Sequence, residues 1–166
     1  MPKLNMAEEI HFVNLLAPID IVATATVSKY VSTVQNGAGQ LEFEVQFGVI
    51  TSTDSTGEVV VTFVGNDVND TTSSDNNEVA VAGNYRLSGA VGTDTMGALT
   101  AFTSAGVTVA NTDDGKAVLA YVDPAVLQQK YVRAVVTPTS ETTVCVVGVN
   151  ARYIPRKAQA SQASSS

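Results

Sequence analysis

The chain has no Trp, one His and one Cys among its 166 residues, and each scarcity excludes something. A metal centre built on imidazole or thiolate needs several such ligands, and nucleophilic catalysis needs a base beside its Ser or Cys. A disulfide needs a second Cys. Cys145 stands inside the run Val144-Cys145-Val146-Val147, where it reads as a small core hydrophobe rather than a reactive thiol. Long apolar runs are missing too: no stretch reaches the roughly 20 residues of a membrane-spanning helix, and Met1 to Glu9 lacks the basic-then-apolar layout of a signal peptide. Basic residues are scarce in the middle, where Gln40 to Gly115 holds eleven acidic residues and Arg86 as the single base, within a chain of net charge −7. Nucleic-acid affinity depends on neutralising phosphates with a basic patch, so neither nucleic acid nor a membrane is expected as a partner. No cofactor, no metal and no enzymatic activity are expected.

What is present is strand material. The 27 Val and 19 Thr favour a pleated, half-buried surface, because their χ1 freedom is already restricted. Leu41 to Val49 alternates apolar with polar over nine residues, burying one face and wetting the other. It reads as a hairpin with Glu58 to Val64 across the turn-rich Thr51 to Gly57. The same logic pairs Gly106 to Ala110 with Lys116 to Val122, and Tyr131 to Thr137 with Thr143 to Val149; the Asp114-Gly115 step in the first of these suits a positive φ. Shorter segments lie at Ile10 to Leu16, Ile19 to Val34, Glu78 to Ala82, Tyr85 to Val91 and Ala98 to Thr103. Asp123-Pro124 opening Ala125 to Lys130 predicts one short helical turn. The expected fold is therefore all-β: one antiparallel β-sandwich, with a jelly roll as one arrangement that fits. It divides into an N-terminal arm with the first strand over 1–17, the sandwich over 18–151, and a basic then Ser/Ala-rich C-terminal arm over 152–166.

Few side chains suggest chemistry. The segment Gly65 to Glu78 is rich in Asp and Asn, but counting a calcium loop from Asp67 places Thr72 where a Gly is required, so it reads as a solvated connector. His11 has no second His to share a metal with, and alternation sets it opposite Ile10 and Phe12. Glu42 and Glu44 share one strand face, where neighbouring carboxylates are expected to stay solvated and ionised rather than act as an acid/base pair. Tyr131 and Arg133 project from one face, close to Tyr121 of the preceding strand. Such an aromatic and Arg cluster suits a subunit interface, and packing within the chain is the equal alternative.

The opening His11-Phe12-Val13-Asn14-Leu15-Leu16-Ala17-Pro18, the strand Lys130-Tyr131-Val132-Arg133-Ala134-Val135-Val136-Thr137 and the end Arg152-Tyr153-Ile154-Pro155-Arg156 together resemble the β-sandwich cement, or decoration, proteins of tailed-bacteriophage capsids. The resemblance implies a structural virion protein on the outer capsid surface, present in the host cytoplasm during assembly, that bridges major capsid protein subunits and stabilises the shell. It implies self-association, a homotrimer ahead of a homodimer. Subunit contacts are then expected at His11 and Phe12, at Tyr131 and Arg133, and at Arg152, Tyr153, Arg156 and Lys157, with both arms contributing. Two rivals differ in class. One is a non-catalytic host-receptor or carbohydrate-binding sandwich on a tail or head fibre, which would want exposed aromatics for sugar rings. The other is an enzyme working with carboxylates alone, which would need a buried, coupled pair.

Overall fold

β-Branched alternation forms strands nearly everywhere it occurs. The computed structural model describes residues 11–33, 38–53, 57–69, 77–123 and 127–155. Their strands are β1 His11–Val22, β2 Thr26–Val27, β3 Val31–Ser32, β4 Ala38–Phe47, β5 Glu58–Asn66, β6 Val79–Ala80, β7 Gly83–Leu87, β8 Thr100–Phe102, β9 Val107–Ala110, β10 Ala117–Val122, β11 Tyr131–Pro138 and β12 Val144–Pro155. They build two antiparallel sheets. The front sheet has the order β1-β12-β4-β10-β7-β8. The back sheet is centred on β5 and β11, with β2 and β3 on the free side of β11 and with β6 and β9 on that of β5. The molecule is the all-β sandwich that the alternation predicts.

Pairing is nested from the ends inward. β1 pairs with β12, β2 and β3 with β11, β4 with β10, and β5 with β9. One long antiparallel ribbon, rolled so that alternate segments fall in opposite sheets, produces this order, and that is a jelly roll. An excursion between β5 and β9 places β7 beside β10 and β8 beside β7, which widens the front sheet.

The three expected hairpins are not hairpins. β4 and β5 lie in different sheets, as do β9 and β10, and β11 and β12. Alternation fixes which face of a strand is buried and carries nothing about its hydrogen-bonded neighbour, so strands joined by a short turn can face each other across the core just as well. The helical turn is also elsewhere. A 3₁₀ turn occupies Asn111–Asp113, whereas Asp123 and residues 127–130 are not helical and 124–126 lie outside the described residues. The corner at Asn111 must carry the chain from back sheet to front in few residues, and Asp113 braces it by a 2.6 Å ion pair with Lys116. Gly115 follows with φ +69, as the Asp-Gly step predicts.

The core fills the space between the sheets. Leu41, Phe43, Val45 and Phe47 of β4 face Val59, Val61 and Phe63 of β5, and the inward sides of β10, β11 and β12 complete it. Phe63 is central: its ring centroid lies 5.1 Å from that of Phe43 and 5.2 Å from that of Phe102. Cys145 is buried opposite Ile21, and burial, helped by the nearby Asp20 charge, pushes its thiol up to about 11.

Two outcomes follow. Phe63→Ala removes the ring bridging both sheets and should cost about 3–5 kcal/mol in urea unfolding. Cys145 should stay unreactive to Ellman's reagent at neutral pH until the protein unfolds; reaction at the rate of a free thiol in the native state would contradict its burial.

Candidate functional site

Residues that the sequence scatters over both ends and the middle meet at one end of the sandwich. His11 is paired with Tyr153 and Phe12 with Arg152, across β1 and β12. Tyr131 opens β11 opposite Asn66 of β5 and Ser32 of β3, and Arg133 stands two residues further along. The connections from β3 to β4, β5 to β6 and β10 to β11 leave from this same end. The side chains of His11 and Tyr153, and all of Arg156 and Lys157, lie outside the described residues.

On the front sheet the register lines up one outward row over all six strands: Phe12, Arg152, Glu42, Tyr121, Asn84 and Ala101. Phe12 is 68% exposed. Arg152 reaches Glu42 with two guanidinium nitrogens. Glu42 is buried rather than solvated, against expectation, because Arg152 on one side and Tyr121 on the other close over it. Burial raises the Tyr121 pKa, and the neighbouring Glu42 carboxylate, which also accepts its hydrogen bond, raises it further. Glu44, one row along, is half-buried and accepts a 2.8 Å hydrogen bond from Gln46. The two carboxylates are thus engaged with different partners and do not form an acid/base pair.

The back sheet carries a second polar group beneath its outer surface. Arg133 is 2% exposed. Its guanidinium lies 4.7 Å from the Tyr30 ring centroid, and its Nε lies 2.6 Å from Glu78 Oε1 as a close charge contact rather than an aligned hydrogen bond. The Tyr30 hydroxyl donates to the same Glu78 oxygen, and Asn66 also hydrogen-bonds Tyr30. Tyr131 meets Tyr30 edge-on at 6.4 Å. Packing within the chain is therefore the role of Arg133, and it is out of reach as an exposed subunit contact. The cluster also explains the ends of the Asp/Asn-rich connector. Asn66 and Glu78 are drawn into it, and so clamp the base of the excursion between them. Residues 70–76 of that connector lie outside the described residues, and no group of three or more His, Cys, Asp or Glu among the described residues is placed to hold a metal ion.

Sequence reasoning reaches Tyr131, Arg133 and Arg152 but misses Tyr30, Glu78 and Asn84. Tyr30 and Glu78 lie far along the chain from Arg133, and Asn84 from Tyr121, and only the rolled topology brings them close.

The remaining outward surface of the back sheet is different in kind. β5 turns Val60, Thr62 and Val64 outward, half-buried, β11 does the same with Val135 and Thr137, and the register sets Val27 and Thr108 beside them. The charged residues of this face are Arg133, buried beside Val64, and Glu58, half-buried at the start of β5. Strands apolar on both sides are what a sheet covered on both faces requires, and here only one face is covered by the fold.

No family model matches the chain, and no curated protein matches it. Two solved structures show a remote likeness. A structure of infectious bursal disease virus, Gt strain, is 13% identical over 92% of this chain and 42% of its own, with a TM-score of 0.23. The corresponding Gx strain structure is 10% identical over 92% and 43%, with a TM-score of 0.25. The chain spans less than half the length of either, and neither likeness is close enough to carry an assignment.

Removing one member of the buried pair should be severe and removing both much less so. Arg133→Met strands the Glu78 carboxylate and should cost about 3–5 kcal/mol, whereas adding Glu78→Gln should recover a large part, read by a double-mutant cycle in urea. Tyr30 adds a pH signature. Burial foremost, then Glu78, pushes its hydroxyl from the ordinary 10.0 up to about 12. A raised pKa stabilises the protonated form, so this contribution is complete below pH 10 and is lost as pH climbs through 12. Ultraviolet titration should show late-ionising tyrosine absorbance, of which Tyr30→Phe removes one part while Tyr121 supplies another.

Proposed function

We propose that the chain is a non-catalytic structural protein of a virion, a decoration protein that seats its back sheet on the outside of a capsid and bridges neighbouring major capsid protein subunits. The observation that carries this reading is the Val/Thr-rich face of the back sheet. In a chain of net charge −7, the middle of this face carries Val and Thr with Arg133 buried and Glu58 at its margin, and strands β5 and β11 are written as if that surface were covered. A sandwich whose polar clusters are consumed in bracing itself suits a clamp. A clamp needs rigidity and area rather than reactive groups. β1 begins and β12 ends at the same end of the sandwich. Arg156 and Lys157, which follow, offer positive charge to an acidic shell surface.

Repetition over a capsid lattice does the rest. Self-association links several such clamps, and weak contacts then add up through effective concentration instead of individual affinity.

Co-sedimentation with empty capsids from the same source tests this. Wild-type protein should pellet stoichiometrically with shells. Val135→Glu or Thr62→Glu, each placing a charge on the back-sheet face, should lower binding about tenfold or more while the folded state persists, since burying an unpaired charge costs several kcal/mol. Gln46→Glu, on the outward side of the front sheet, should leave binding unchanged. Deleting Arg156 to Ser166 should weaken it. Failure of wild-type protein to pellet would remove the reading.

A further inference from the structure

The outward row of the front sheet is not used by the role proposed above, and its layout is that of a site. Phe12 and Tyr121 are its two aromatic members, and they stand three strand spacings apart, on β1 and β10. At the spacing of hydrogen-bonded strands this is about 14 Å. Between them the Arg152–Glu42 pair is internally neutralised, and beyond Tyr121 the amide of Asn84 is exposed. Gln40 and Asp123 flank Tyr121 on the adjoining row, and these residues with Asn84 and Val122 line an open cleft of about 280 Å³. A second cleft of about 560 Å³ shares Asn84, Tyr121 and Asp123 and extends towards Gln128 and Gln129.

We infer that this row is a binding strip for an extended, uncharged oligosaccharide lying across the strands. Three observations converge on that ligand class. Strand spacing of about 4.8 Å repeats at close to the advance of one pyranose unit along an extended glycan, so successive residues of the row meet successive sugars. Aromatic rings at intervals offer apolar platforms for sugar faces, and the planar amides and carboxylate between and beside them offer the paired donors and acceptors that hydroxyl groups need. Tyr121 is held before any ligand arrives, since Glu42 accepts from its hydroxyl and Arg152 holds Glu42. Preorganisation of that kind lowers the entropy cost of binding. Neutralisation within the Arg152–Glu42 pair disfavours a strongly charged polymer.

The site needs neither a capsid nor self-association, so its test stands apart from the structural role. Full-length protein is titrated by calorimetry with cellohexaose, chitohexaose and mannohexaose. At least one should bind saturably. Tyr121→Ala should then weaken binding about tenfold or more, and Phe12→Ala and Tyr121→Phe by less, because the Tyr121 ring meets the sugar while its hydroxyl holds the ring in place. Asn84→Ala provides a second probe should Tyr121→Ala not fold, and Val135→Glu on the back sheet should have no effect. No saturable binding by any of the three, or binding indifferent to Phe12→Ala, Tyr121→Ala and Asn84→Ala alike, would overturn the inference.

Discussion

Every long strand of this protein must bury the same alternate face in one shared core, and that constraint organises all else. Two sheets packed about 10 Å apart satisfy it here by dealing β4 and β5, β9 and β10, and β11 and β12 to opposite sides. Leu41, Phe43, Val45 and Phe47 then meet Val59, Val61 and Phe63 across the core instead of lying beside them. The nested pairing of β1 with β12 and of β4 with β10 follows, as does the position of both described ends at one end of the sandwich. The functional residues gather there because the roll brings them there.

The two outer faces have diverged on this common frame. The front sheet presents Phe12, Arg152, Asn84 and Arg86, polar or aromatic groups with local partners such as the Gly97 carbonyl that accepts from Arg86. The back sheet sinks its one central cation, Arg133, beneath Tyr30 and spends it on Glu78. Such a pair is weak as a source of stability, since desolvation offsets much of its attraction. Its value here is positional. It fixes both ends of the connector leaving β5 and keeps the Arg133 charge off the Val/Thr-rich middle of that face.

Strands were legible in the sequence and their neighbours were not. Leu41 to Val49 announces its buried face through period two, and the segments around Val59, Val118, Val132 and Val147 do likewise. Whether a five-residue turn such as Pro138 to Thr142 closes a hairpin or spans the core depends on contacts formed elsewhere, which no local pattern records. Ile19 to Val34 reads as one strand but is divided, since the hydroxyl of Ser28 takes the Ala134 amide where the ladder would continue. Tyr131 and Arg133 could be recognised as a pair, yet the choice between interface and interior waited on Tyr30 and Glu78. The front-sheet row was hidden for the same reason: its members come from six separate stretches of chain, and register alone aligns them.

The central claim is that the Val/Thr-rich back sheet faces a shell. Cryo-electron microscopy of empty capsids from the same source, saturated with the full-length protein, tests it most directly. The account predicts ordered density on the outer surface, with β5 and β11 against the shell and the row from Phe12 to Asn84 turned to solvent. Bare capsids, or bound molecules seated through the front sheet, would contradict it.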